Sequence, residues 1–330
     1  MGNQMVVVEQ NDSLVLRDMM ATAFNFAKAS KSKNTKKTYA AGWASFINWC
    51  EKNGARYKET QEKEGLIALY ASDMAIKGLL KIASLSCYIT GICSEYKALG
   101  IVVNLKHPVL EDVLKGIRNT LLKRPARKEP ILTEDLLGMM PAIPIAQNGK
   151  ARLIGIRDRA LILVGFTGAF RRSEFAVLTI EDLTETRDGY VALVRKSKTD
   201  QEGEGLEKTI PYGANSITCP VRAIKDWLDT SHITEGPVFR EINRHGQLAT
   251  KPLTGHSISR IIKRNSYLKG KQNQYGGHSL RAGFVTQSKM NGTDDALIMA
   301  QTGHKHRDTL DIYDRRGNSI KESAASMLGL

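Results

Sequence analysis

Nine residues, "LKRPARKEP" from Leu122 to Pro130, hold two prolines and five charges, with only Leu122 strongly apolar. A packed core rejects that density of charge, and the prolines bar both a helix interior and a central strand. The segment therefore reads as a hinge between two separately folded parts. A chain of 330 residues is long enough for two ordinary domains. The expected division is a first domain over 1–122, a linker over 123–130 and a second domain over 131–330.

The part before the hinge reads as amphipathic helices forming a bundle. Tyr39, Trp43, Phe46, Ile47 and Cys50 make one apolar stripe, with Asn34 or Thr35 as its cap. Ile82, Leu85, Ile89, Ile92, Tyr96 and Leu99 make a second, which runs until Gly100. A third helix is predicted from Pro108, with Leu110, Val113, Leu114, Ile117 and Leu121 facing inward. After the hinge, Thr133 is the expected cap of a short helix, and Arg157 to Thr167 reads as a strongly apolar helix stopped by Gly168. Three strand-like pieces follow, "VLTIEDL", "GYVALVRKSK" and "EKTIPY", the last two joined by the acidic, glycine-rich turn "TDQEGEG". From Val221 the pattern is helical again, ending in an apolar stretch from Ile320 to Leu328. The expected class is thus mostly α, with a small antiparallel sheet in the second domain (α+β).

Charge narrows the partner. Lys and Arg number 48 against 34 Asp and Glu, a net +14, which favours a polyanion. No acid occurs between Glu241 and Asp294, an interval that carries Arg244, Arg260, Lys263 and Arg264. Together with Lys31, Lys33, Lys36, Lys37, Lys123 and Arg124, these are the expected contacts to a DNA backbone. Cys50, Cys87, Cys93 and Cys219 show no CxxC spacing, so neither a zinc site nor a disulfide framework is expected. No signal peptide, bilayer-spanning run or myristoylation motif is apparent, so the expected setting is soluble and cytoplasmic, at the nucleoid.

The candidates for chemistry lie after the hinge. "TGAFRRSE" puts Arg171 and Arg172 just past a helix-ending glycine, with Glu174 in the next helix. "HSLR" places His278 and Arg281 on one helical face. "GHKH" supplies His304 directly after Gly303, the expected C′ glycine of a helix capped by Thr293, and Tyr313 follows nine residues later. Two arginines, two histidines and a tyrosine suit phosphoryl transfer. Guanidinium forks can clamp the charge that builds on the nonbridging oxygens of a phosphodiester under attack. A phenol with a pKa near 10 is ionised in roughly one molecule per thousand at pH 7, a deficit of about 4 kcal/mol that a neighbouring base such as His278 must offset. The leaving 5′ oxygen needs a proton, and Lys198, on the turn "RKSKTD", is a suitable acid.

This set, in this order, resembles the tyrosine recombinase (phage integrase) family, in its two-domain Cre/Xer-like form. The likeness runs from about Thr133 to Tyr313 and extends to the helical first part, which resembles the family's SAM-like core-binding domain. "TGAFRRSE" is similar to the first family box, which selects Arg171 and Glu174. "HSLR" matches the second, giving His278 and Arg281. "TGH" followed by the tyrosine matches the third, giving His304 and Tyr313, and the family's hairpin lysine corresponds to Lys198. Arg172, Lys196 and His306 are the alternatives at their positions. "GHSISR" imitates the second box but carries Ser259 where arginine is required, which leaves His256 without a role.

The resemblance implies a site-specific DNA recombinase. Tyr313 would form a 3′-phosphotyrosyl link and strands would exchange through a Holliday junction, with no metal, ATP or other cofactor. It further implies a homotetramer on paired inverted-repeat duplex sites, with the segment from Ile320 docking on a neighbouring subunit. Three rivals are a DNA-binding protein that has lost catalysis on the same fold, a type IB topoisomerase, and a metal-dependent nuclease using His304, His306 and Asp308.

Overall fold

Two glycines on different helices set the spacing of the first bundle. Helices α1 (Leu14–Ala29), α2 (Lys33–Lys52), α3 (Lys63–Ile76), α4 (Ile82–Ala98) and α5 (Pro108–Leu121) follow one another in chain order in a computed structural model. It describes residues 14–121, 128–147, 150–195, 205–267 and 274–310. The chain divides into two compact units, Met1–Pro125 and Ala126–Leu330. In the first unit a Cβ on Gly42 of α2 would lie 2.8 Å from the Tyr88 Cα of α4, and one on Gly91 of α4 would lie 2.7 Å from the Tyr39 Cα. The two helices thus meet backbone to backbone. Around that seam Phe46, Cys50, Ile67, Tyr70, Leu85, Ile92, Tyr96 and Leu110 are fully or nearly fully buried, and Phe46 meets the rings of Tyr57, Tyr70 and Tyr96 edge-on.

The cap of α2 is Ser32, whose Oγ accepts the Thr35 amide at 3.1 Å. Asn34 and Thr35 therefore lie inside the helix. Leu99 is 54% exposed instead of inward. The chain turns left-handed at Gly100 (φ 78°), and Ile101 packs against the core in its place. Leu121, at the end of α5, is also exposed.

The second unit runs α6 (Thr133–Met139), a two-residue ribbon β1 (Ala146–Gln147) and β2 (Lys150–Ala151), α7 (Leu153–Thr167) and α8 (Arg172–Ala176). Next come β3 (Leu183–Thr186), β4 (Gly189–Val194), β5 (Leu206–Pro211), α9 (Pro220–Ser231), β6 (Arg240–Ile242), β7 (Leu248–Pro252), α10 (Gly255–Tyr267), α11 (Ser279–Met290) and α12 (Asp295–Thr302). Strands β3, β4 and β5 form an antiparallel sheet in that order, with Leu183 opposite Ala192 and Tyr190 opposite Ile210. The mostly helical α+β class expected from sequence is the observed one.

Four local expectations are corrected. Thr133 is the first residue of α6, preceded by Leu132, whose amide donates to Asp135 Oδ2. Helix α7 starts at Leu153, four residues before the predicted start. "VLTIEDL" is not a strand. Thr179 makes an isolated antiparallel bridge to Pro237, Ile180–Asp182 form one 3-10 turn, and the three-stranded sheet begins at Leu183. The helical reading after Val221 is interrupted by the β6–β7 hairpin, turned at Gly246 (φ 79°).

Helix α7 is apolar nearly all round and is sheathed on every side. Its two buried charges, Arg157 and Asp158, are paired at 2.8 Å. The second carboxylate oxygen of Asp158 accepts from Asn265 at 2.9 Å and from Arg264, both on α10. That tie fixes α10 against α7. Among the described residues no helix is long and apolar enough to cross a membrane, and the four cysteines carry free thiols. The segment from Ile320 to Leu328 lies outside the described residues.

Candidate active site

The end of α7 creates the first wall of the site. Gly168 closes the helix, and Ala169 then takes a left-handed backbone (φ 45°), a conformation that costs a non-glycine residue roughly 1 kcal/mol or more. The turn aims the Ala169 carbonyl at Arg281 and delivers Arg171 to the N-cap of α8. Glu174, 3% exposed, accepts the Arg171 amide at 3.0 Å and its guanidinium at 2.6 Å. The same guanidinium reaches the Gly303 carbonyl at 3.3 Å. Arg172 lies beside His278. It is exposed and crosses Gly277, where a Cβ would sit 2.1 Å from its Cδ.

The second wall is the start of α11. Gly276 and Gly277 lead into His278, the N-cap residue, and Arg281 follows in the first turn. Arg281 is 1% exposed. One of its nitrogens donates to the Ala169 carbonyl at 2.8 Å, and another meets Nε2 of His304 at 3.0 Å. His278 is exposed at the start of α11. Lost hydration lowers its pKa, and Arg281, Arg172 and Arg171 lower it further.

The third wall is the end of α12. The cap at its start is Asp294, not Thr293; the Asp294 carboxylate accepts the Ala296 amide at 2.6 Å. Gly303 closes it in the left-handed region (φ 68°) as the sequence predicts, pressed against Leu206 of β5. His304 turns inward, whereas His306 is exposed. A guanidinium can only donate, so Nε2 of His304 is the acceptor of the Arg281 bond. The ring proton therefore sits on Nδ1 and points to Thr302 Oγ1, 2.8 Å away, and the Thr302 hydroxyl donates to the Ile298 carbonyl at 2.7 Å. Burial, then Arg281 and Arg171, push the His304 pKa down to about 4. The imidazole is neutral at pH 7.

Five of the sequence candidates, Arg171, Glu174, His278, Arg281 and His304, thus form one cluster. Tyr313, Lys198 and its alternative Lys196 lie outside the described residues, as do Lys123 and Arg124. Of the remaining basic candidates, Lys33, Lys36 and Lys37 are exposed on the first turns of α2, and Lys31 donates to Ser94 Oγ and overlies the Tyr39 ring at 5.0 Å. Arg244 is exposed on the β6–β7 turn, and Arg260 and Lys263 are exposed on α10. Arg264 is 53% exposed but engages the buried Asp158, so part of its charge anchors its own helix. His256 is exposed. Among the described residues, no cluster of three or more His, Cys, Asp or Glu is placed to hold a metal ion, so His304, His306 and Asp308 are not gathered as a ligand set.

Two participants escaped the sequence reading. Thr302 fixes the His304 tautomer, and Lys208 of β5 is fully buried beside the arginines. The signal for Lys208 is strand alternation: Leu206, Lys208 and Ile210 share a face, and Ile210 belongs to the core.

Comparison with known proteins supplies the family. Residues 142–318, more than half the chain, match the phage integrase family. The integrase/recombinase xerD homolog of Selenomonas ruminantium is 33% identical over 326 residues, which is 97% of this chain and 91% of that protein. Among solved structures, XerH site-specific recombinase bound to palindromic difH substrate has a TM-score of 0.61 at 19% identity, over 89% of this chain and 80% of the other. A lambda integrase(75–356) dimer bound to a COC′ core site has a TM-score of 0.54 at 16% identity, over 91% and 95%. With the fold and the family match in agreement, the chain belongs to the phage integrase family, the tyrosine recombinases.

Proposed function

We propose that this cluster holds the scissile phosphate of a duplex DNA site and that Tyr313 attacks it. The observation that carries this reading is the convergence of Arg171 and Arg281, from two separate helix starts, with both guanidinium groups oriented by fixed acceptors. Two such forks neutralise the charge that grows on the nonbridging oxygens as the phosphorus becomes pentacoordinate. His278, held neutral by its surroundings, takes the phenolic proton. Lys198 gives a proton to the departing 5′ oxygen. One P–O bond is broken and one formed, so the 3′-phosphotyrosyl link retains the bond energy. A 5′ hydroxyl from the partner duplex then displaces the tyrosine, and strands exchange through a Holliday junction with neither metal nor ATP taking part.

On this reading the protein acts in the cytoplasm as a homotetramer on paired inverted-repeat sites, with the segment from Ile320 docking on a neighbour. Support for a DNA partner comes from net charge, from the exposed cations of α2 and α10, and from the similar XerH, which was solved on its difH substrate. The test is a nicked duplex that traps the cleaved strand. Wild type should leave a denaturant-resistant adduct, and Tyr313→Phe should leave none while shifting the same DNA. An adduct formed by Tyr313→Phe would overturn the assignment. Relaxation of supercoils by a monomer, with no exchange between sites, would indicate topoisomerase action instead.

A further inference from the structure

Burying an ammonium is costly unless its hydrogens and charge are met. Lys208 has no exposed surface. Its Nζ donates to the Gln301 carbonyl at 2.6 Å and lies 5.3 Å from the centre of the Phe170 ring. The buried carboxylate of Glu174 is the negative charge that acts on it, while Arg281 and Arg171 act against it. Burial is the largest influence and brings its pKa down to about 7.

The place of this bond matters. A helix leaves its last carbonyls without intrahelical partners. At the end of α12 two cations take them: Lys208 holds the Gln301 carbonyl and Arg171 holds that of Gly303. The Gln301 side chain joins the same seam, accepting the Thr209 amide at 3.1 Å and donating to the Thr209 and Thr167 carbonyls at 2.7 and 2.9 Å. His304 is the next residue but one after this last turn.

We propose that Lys208 is a positioning residue for His304, gripping the last turn of α12 from strand β5 so that the imidazole meets Arg281. The inference rests on reading this cluster as the recombinase active centre. Being fully buried and bonded to a backbone carbonyl, Lys208 does not touch the phosphate. Its charge also acts on the imidazole in the same direction as Arg281 and Arg171.

The test compares wild type with Lys208→Met, which keeps the stem and removes the ammonium. Three quantities are read: DNA affinity, the single-turnover rate of adduct formation on a nicked duplex, and the titration midpoint of the His304 ring by NMR. Binding should change less than twofold and the adduct rate should fall at least tenfold. The midpoint should rise by half a pH unit or more. Loss of packing would raise it too, by readmitting water to the buried ring, so the midpoint is read on a variant whose melting temperature matches wild type. Should Lys208→Met fail to fold, Lys208→Gln, which retains a donor but no charge, should give the same rise. A folded variant with an unmoved midpoint and a rate within twofold of wild type overturns the proposal. Failure of wild type to form any adduct would instead sink the recombinase chemistry, and the midpoint would still decide the role of Lys208.

Discussion

The guanidinium of Arg281 donates to Nε2 of His304 across 3.0 Å, while another of its nitrogens holds the Ala169 carbonyl at 2.8 Å. Two directions are thus fixed at once on a planar fork, which a lysine ammonium cannot reproduce. Arg281→Lys should lower the rate of covalent adduct formation by roughly 10²–10³-fold, the range for losing an oriented donor on transition-state charge. A filter-binding measurement on the same DNA should show affinity little changed.

Glu174 does for Arg171 what Ala169 and His304 do for Arg281. Its carboxylate holds both the amide and the guanidinium of Arg171. Glu174→Gln keeps the shape but weakens a charge-assisted bond to a neutral one, a loss of about 1–2 kcal/mol. The expected result is a roughly tenfold slower adduct step, read in single-turnover cleavage, with a melting temperature near that of wild type.

Acid should loosen the site before it unfolds the rest. His304 has a folded pKa of about 4 against an ordinary 6.5. Between those values the unfolded chain binds a proton that the folded site refuses, so stability falls as pH drops through 6.5 and levels off below about 4. His278, also lowered, contributes with the same sign. Protonated Nε2 would confront Arg281 donor to donor. His304→Gln should therefore flatten the dependence of the melting temperature on pH across that window, as read by calorimetry.

Asp158 holds α7 and α10 together from inside the protein. Its oxygens accept from Arg157, Asn265 and Arg264, and its removal strands a guanidinium in the interior. Asp158→Ala should cost about 3–5 kcal/mol in urea unfolding. That exceeds the effect of any single exposed lysine on α10.

Gly283 reverses an ordinary rule. Alanine inside a helix normally stabilises by about 0.5–1 kcal/mol relative to glycine. Here a Cβ would lie 1.8 Å from the Ile131 carbonyl, so the segment before α6 would have to leave α11. Gly283→Ala should destabilise by about 1–3 kcal/mol, measured by thermal melting.

Much of this is legible in the sequence, and the exceptions share causes. Pro108 at the first turn gives the start of α5, and Gly168 and Gly303 give the ends of α7 and α12, because these residues act through their own backbones. The boxes around Arg171, Arg281 and His304 are legible because spacing survives any packing. The start of α7 was hidden by Arg157 and Asp158, whose burial depends on partners more than eighty residues away. Likewise β6 carries one strongly apolar residue in three, so its pairing with β7 leaves no alternation to read. Lys208 was overlooked because a lysine on a strand is ordinarily taken for solvent-facing. Only the seam with Gln301 makes its inward register tolerable.

The row of hydrogen bonds from Arg281 through His304 to Thr302 stops at the Ile298 carbonyl, which has nothing to hand onward. On the proposed chemistry, proton exchange falls to His278, which is exposed, while burial keeps the His304 ring neutral and out of that exchange.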